Sequence, residues 1–228
     1  MLLVGFPLYH SIPVPWFAHW LNMDRSKVMG TIVVNGVYLP SAMDMIVSGG
    51  FSIEEEWDRL VIMEHDMLPN LDAFTRIASY APEVDIVGSM YFRHEAPHDA
   101  LVYMEQPGRV YGAITPQTVK AWIDEPAIYP CDAVGFGLTS ISRRVLEAWD
   151  KNVPMFGTDD TYGSHDLWFC HYAQEQGFGI AVDSGIVCDH LTQHIPIGLK
   201  DNQALADTID YSNTIDFRKL TPEPVSVA

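Results

Sequence analysis

Leu60-Val61-Ile62-Met63-Glu64-His65-Asp66 is the stretch on which the fold turns. Four apolar residues run without a break and then stop at two acids and a histidine. A short continuous run of this kind reads as a strand buried on both faces, as in a parallel sheet covered by helices. The acids that end it stand at the sheet's C-terminal edge, where open α/β folds bind their ligands. Glu64 and Asp66 are two apart, so on extended backbone they project to the same side, toward a hard cation and the oxygens of a diphosphate. Spacing alone supports equally a solvated strand end that carries acids by chance.

Upstream, residues 2–6 read as a buried first strand ended by Pro7, followed by a helical stretch over 15–21. A β-branched strand over 31–34 stops at Asn35-Gly36, and Leu39-Pro40-Ser41 opens a helix that Gly49-Gly50 closes. Downstream come a helix over 71–79, a strand over 85–89 and a polar, Pro/Gly-punctuated loop or hairpin over 93–112. Residues 115–123 read as a helix with Pro116 first, 133–138 as a Gly-flanked strand or turn, and 143–150 as a helix capped by Ser142. A helix from Ser164 ends at Gly177, and two paired short strands, 180–182 and 186–188, finish at Asp189-His190. Strands alternating with helices imply an α/β fold with a mostly parallel central sheet.

The 228 residues fit one domain, over 1–199, with a polar, Pro-containing peripheral tail over 200–228. Hydrophobic residues at 48% against 19% charged exclude a largely disordered chain. No run approaches the roughly 20 apolar residues of a membrane span, and no basic segment precedes the apolar start, so a cytoplasmic protein is expected. Three cysteines, an odd number in a chain of this size, suit free buried thiols rather than disulfides. A net charge of -17 with 13 Lys and Arg repels polyanions, which disfavours broad nucleic-acid binding without excluding a single presented base, and it suits metal recruitment.

Two further groups carry chemistry. His190 closes the last strand as a metal ligand from far along the chain, or as a structural histidine. His194 lies four residues on, giving a rival zinc pair with Cys188, although the Ile195-Pro196 region does not read as helical. Asp166 in Ser164-His165-Asp166 sits in a first helical turn, where the helix dipole favours an acid and also keeps it ionised as a general base requires.

In order along the chain these features resemble GT-A glycosyltransferases, in particular the short family-2-like enzymes of bacteriophages. The resemblance covers about residues 3–191. Gly5-x-Pro7-x-Tyr9 is similar to the family's nucleotide-binding first loop, and Trp57 through Glu64-His65-Asp66 to its strand and DxD-type motif. Gly135-Phe136-Gly137 resembles the acceptor-side loop, Gly163-Ser164-His165-Asp166 the acid-acid motif with His165 in place of its first acid, and 177–190 the closing strands with a metal-binding histidine. The resemblance implies a nucleotide-sugar donor, a UDP-sugar first, held by Pro7, Tyr9, Asn35, Glu64 and His65. It implies Mn2+ or Mg2+ on Asp66 and His190, and Asp166 as the base of an inverting transfer. For a phage product the compartment is the host cytoplasm, and the acceptor is a modified DNA base or a virion or host glycan or protein.

Met43 stands where such enzymes often place an arginine for the diphosphate, with Arg25 or Lys27 as substitutes. Phe136, Trp168 and the Tyr91-Phe92 pair are candidates to stack on sugar rings, or core aromatics. Two other classes remain open: a metal-dependent hydrolase using Asp66, His190 and His194, and a non-catalytic sugar-binding protein.

Overall fold

The computed structural model describes residues 1–9, 11–106, 109–159, 161–192 and 195–197. Leu2–Leu8 forms β1, buried at every position. Leu2, Val4, Phe6 and Leu8 enter one apolar cluster with Val61 and Met63, while Leu3 enters another with Leu60 and Ile62. The strand period of two therefore feeds two cores, one on each face of the sheet. Each fully buried aliphatic side chain contributes about 1.5–3 kcal/mol.

The chain continues through α1 (Val14–Asn22), β2 (Val28–Asn35), α2 (Leu39–Phe51), β3 (Arg59–Met63), β4 (Met67–Leu68), α3 (Ala73–Ile77) and β5 (Ile86–Met90). It then forms β6 (Val102–Gln106), β7 (Arg109–Ala113), α4 (Pro116–Asp124), β8 (Ile128–Pro130), β9 (Ala133–Val134), β10 (Leu138–Ser142) and α5 (Arg143–Ala148). Last come α6 (His165–Glu175), β11 (Ile180–Val187), β12 (Asp189–Thr192) and β13 (Ile195–Ile197).

The central sheet has the order β2-β1-β3-β10-β5-β11-β8. β1, β2 and β3 are mutually parallel, and β11 is parallel to β5. β10 runs against both β3 and β5, and β8 against β11, so these two are the reversed strands of a largely parallel sheet. Two small sheets, β13-β12-β4 and β7-β6-β9, flank it.

Several boundaries differ from the sequence expectations for identifiable reasons. Pro7 does not end β1. The Leu8 carbonyl accepts from Gly36 on the β2 side, so Pro7, one residue earlier, faces β3, whose pairing with β1 has already stopped at Gly5 and Ile62. A missing N–H costs nothing there. Gly49 and Gly50 do not close α2 but lie within it; a Cβ at Gly49 would stand 3.2 Å from Ile32 and one at Gly50 3.4 Å from Trp57, so the pair lets the helix approach the sheet. The expected hairpin over 180–188 is one strand, β11, with an irregularity between Asp183 and Val187. The Gly-flanked strand or turn expected over 133–138 is the short strand β9 and the turn after it, and β10 begins where that stretch ends. Cys131, Cys170 and Cys188 are free and buried. Among the described residues no helix is long and apolar enough to cross a membrane.

Candidate functional site

β3 stops at Met63 and the chain leaves the sheet through Glu64, His65 and Asp66. The Glu64 N–H donates to the Gly137 carbonyl at 2.8 Å, and the Glu64 carbonyl accepts from the Trp16 indole N–H at 3.1 Å. The segment is thus pinned from two sides. β4 then pairs antiparallel with β12, setting Met67 opposite His190, and so carries the preceding Asp66 against the histidine. Asp66 Oδ2 lies 3.4 Å from His190 Nε2. His190 Nδ1 is 2.8 Å from the Phe92 carbonyl, an acceptor, so in the neutral ring the proton sits on Nδ1 and Nε2 keeps its lone pair.

His94 is the third member. Ligand atoms of Asp66, His94 and His190 all lie within 4.8 Å of one another, and the two imidazole centroids are 3.6 Å apart. The Leu191 N–H donates to the Asp66 carbonyl at 2.7 Å, which fixes the Asp66 backbone beside β12. Asp66 Oδ1 and His94 Nε2 are buried without a hydrogen-bond partner. Orphaned polar atoms cost about 1–3 kcal/mol each, and a divalent cation would satisfy both. One carboxylate and two imidazoles fit a first-row transition ion such as Mn2+, and fit Mg2+, with its preference for oxygen, less well.

The electrostatics follow from burial. Burial, and then the charge of His190, lowers the His94 pKa, which keeps the ring neutral and able to ligate. Burial also pushes the Asp66 carboxyl up, but His190, whose protonated ring donates from Nε2, and then the charges of His65 and His94 outweigh it and hold Asp66 below the usual range. Glu64 is driven the other way, well above that range, by burial and then by the neighbouring Asp66 and Asp166 charges.

Asp166 opens α6, accepting from the Ser164 hydroxyl and, at 2.9 Å, from the Leu167 N–H. Its charge is among the causes that push up Glu64, Tyr91 and Tyr103, each after burial. Pro7, Tyr9 and Asn35 lie at the C-terminal ends of β1 and β2, with Leu8 and Asn35 in register, beside the point where β3 peels away. Tyr9 is exposed and Pro7 buried. Strand order 2-1-3 makes the β1/β3 junction the place where successive connections diverge, and that is where such sheets open a ligand crevice. His65 Nδ1 and His165 Nε2 are further buried nitrogens without partners.

Gly135, Phe136 and Gly137 join β9 to β10. Tyr91 fills the space beside both glycines, and its hydroxyl accepts the Gly137 N–H at 3.0 Å. Phe136, Tyr91 and Phe92 are buried at 1%, 3% and 0% exposure, which makes them core aromatics, the second of the two readings that the sequence left open. Trp168 is partly buried, with its N–H on the Pro154 carbonyl. Arg25 and Lys27 are also misplaced as diphosphate contacts. They precede β2, and the Lys27 carbonyl accepts from Leu2 at the opposite, N-terminal edge of the sheet, with Arg25 lying 5.2 Å over Trp20. His194 and the 200–228 tail lie outside the described residues. His94 is the residue that the sequence reading missed; its signal was a histidine following closely on a buried apolar strand, the same signal that flagged Asp66 and His190.

No protein-family model matches the sequence, and no curated protein does. Among solved structures, A197 from STIV is similar with a TM-score of 0.64 at 14% identity, over 86% of this chain and 89% of that one. At that identity the likeness shows a shared fold. The inositol-1-phosphate CTP transferase from T. maritima is similar at TM-score 0.46 and 11% identity, over 82% of this chain and 88% of that one.

Proposed function

We propose that the chain is a metal-dependent glycosyltransferase of the GT-A type, moving a sugar from a nucleotide-sugar donor, a UDP-sugar first, to an acceptor hydroxyl. The observation that carries this reading is the Asp66, His94 and His190 cluster at the C-terminal sheet edge, with Asp166 in electrostatic reach across Glu64. Tyr9 and Asn35 offer a ring face and an amide to the donor base, and Glu64 and His65 line the path from the crevice to the cluster. A divalent ion, manganese or magnesium, held by Asp66, His94 and His190 would offset the charge developing on the diphosphate leaving group.

Asp166 takes the proton of the acceptor hydroxyl as its oxygen attacks the anomeric carbon and the bond to the diphosphate breaks on the opposite face, inverting the centre. The Ser164 hydroxyl and the Leu167 N–H hold that carboxylate in a fixed orientation. A glycan, a protein hydroxyl or a hydroxylated modified base each supplies such an acceptor, and the net charge of -17 disfavours wide contact with DNA or RNA.

A thermal-shift panel of nucleotide-sugars with and without Mn2+, followed by detection of transferred sugar, tests the reading. Stabilisation by a nucleotide-sugar only with the cation is expected, and stabilisation unaffected by chelator overturns it. A metal-dependent hydrolase is the second reading, because one carboxylate and two histidines also hold hydrolytic zinc, with His94 taking the place that the sequence gave to His194. Release of free sugar without transfer to any acceptor favours the hydrolase.

A further inference from the structure

We infer that the outer edge of β2 is a docking surface for a second copy of this chain, which lays its own β2 antiparallel to it about a two-fold axis. The inference is independent of the reaction proposed above. β2 is an end strand of the central sheet, and among the described residues it pairs with β1 alone. The Gly36 N–H points inward to the Leu8 carbonyl, so strand alternation turns the N–H and C=O of Thr31 and Val33 outward, away from β1. A row of such groups is a template for another strand, and proteins ordinarily blunt it with charge, proline or brevity. β8, at the other end of the sheet, is blunted: it has three residues and ends in Pro130. β2 has eight, Val28–Asn35, with neither a charge nor a proline among them.

Both helices beside this edge leave apolar side chains uncovered along it. Phe6 of β1 packs edge-on to Trp16 and Trp20 of α1, and Val33 is its register partner, so Val33 stands on the α1 face of the sheet. His19 turns to the Pro69 carbonyl, on the β4 side of α1. At about 100° per residue, Phe17 lies on the opposite flank of the helix, toward β2, and Leu21 follows one turn later. On the other face of the sheet Gly49 of α2 meets Ile32 of β2; Met45, one turn earlier, and Tyr38, at the helix start, share that flank. Phe17, Leu21, Val33, Tyr38 and Met45 are between 49% and 66% exposed.

A second copy fits this face in charge, symmetry and area. With a net charge of -17 the chain repels its like over most of its surface, but between Met1 and Met43 the charged residues are Asp24, Arg25 and Lys27 alone. Two copies can meet here with little repulsion. A two-fold axis normal to the sheet sets α1 against the second copy's α1 on one face and α2 against its α2 on the other, so each apolar flank meets its own image. Five large side chains about half exposed, with the β2 backbone between them, offer on the order of 600 Å2 per copy, close to the roughly 800 Å2 a side of a standard stable interface.

Sedimentation equilibrium of the full chain over about 1–100 µM should show a monomer–dimer equilibrium with a Kd in or below that range. Val33→Lys, which charges an exposed side chain of the edge, should raise that Kd at least about 10-fold with circular dichroism unchanged, and Phe17→Glu should do the same from the α1 flank. Ile128→Lys, on the opposite edge strand β8, should leave the Kd within about twofold. Hydrogen exchange at the Thr31 and Val33 amides should slow as the concentration rises. A chain that stays monomeric throughout overturns the inference, as does a dimer that survives both Val33→Lys and Phe17→Glu or one that Ile128→Lys breaks. A monomer whose Thr31 and Val33 amides are protected at every concentration overturns it too, and gives the edge to a segment of the same chain. Co-sedimentation of a monomer with phosphatidylcholine vesicles overturns it in favour of a lipid surface.

Discussion

The imidazole of His190 is anchored at Nδ1 by the Phe92 carbonyl, 2.8 Å away, and this bond decides which nitrogen faces Asp66. Phe92 lies two residues before His94, so the backbone that orients one histidine also delivers the other. Fixing the tautomer through the outer nitrogen is how proteins hold an imidazole ready for a metal.

Because His94 is a direct member of the cluster, His94→Ala should weaken Mn2+ binding by at least the 10–100-fold that a change outside the ligand shell costs. Titration of Mn2+ followed by electron paramagnetic resonance reads this. Unchanged affinity, with circular dichroism showing an intact fold, removes His94 from the site.

Asp166→Asn separates catalysis from helix support. A first-turn acid contributes about 0.3–1 kcal/mol to its helix. A base that acts once the acceptor is bound contributes on the order of 10²-fold or more to turnover and little to donor affinity. Calorimetry should show donor binding unchanged while transfer falls to a trace; transfer near the wild-type rate makes the acid structural.

Burial lowers the pKa of His19 and of His165 from the ordinary 6.5. Each ring is then neutral in the native state at pH values where the unfolded chain binds a proton, so stability is full above that pH and is lost as pH falls below it. With chelator present, the melting temperature should fall between pH 7 and pH 5.5. His165→Gln should flatten part of that slope, and an unchanged slope shows that His165 does not contribute to it.

Gly137→Ala should be costly for a residue so small. Its Cβ would stand 2.7 Å from Met67 Sδ and 2.8 Å from Tyr91 Cζ, the ring whose hydroxyl the Gly137 N–H reaches. Overpacking of this kind typically costs about 1–3 kcal/mol. Denaturant unfolding measures it, and a change below about 0.5 kcal/mol means that the Tyr91 ring moves aside freely.

Much of the architecture was legible because β1 and β3 announce themselves as unbroken apolar runs ending near punctuation. β10 did not, because Leu138-Thr139-Ser140-Ile141-Ser142 hides a buried central strand behind hydroxyls. The structure satisfies two of them internally, with Thr139 Oγ1 donating to the Gly135 carbonyl at 2.9 Å and Ser140 Oγ accepting from Arg59 at 2.6 Å. Hydropathy sees polarity there and cannot see partners 4 and 81 residues away. His94 was obscured for a related reason. Its neighbourhood, Arg93-His94-Glu95, is polar and is followed by Pro97, so it reads as loop, and its place beside Asp66 and His190 exists only in the folded chain. Asp66 and His190 were legible because each directly follows or closes an apolar strand.

Pro7 works as a wedge in the sheet. Without an N–H toward β3, it gives the ladder nothing to zip onto beyond Gly5 and Ile62, and the strand after Met63 is free to splay. Beyond the last rung Glu64 is held elsewhere, its N–H on the Gly137 carbonyl and its carbonyl on the Trp16 indole N–H. One imino acid thus leaves the end of β1 without the amide that a further rung toward β3 needs, while the same strand keeps its ladder to β2 through Leu8 and Asn35.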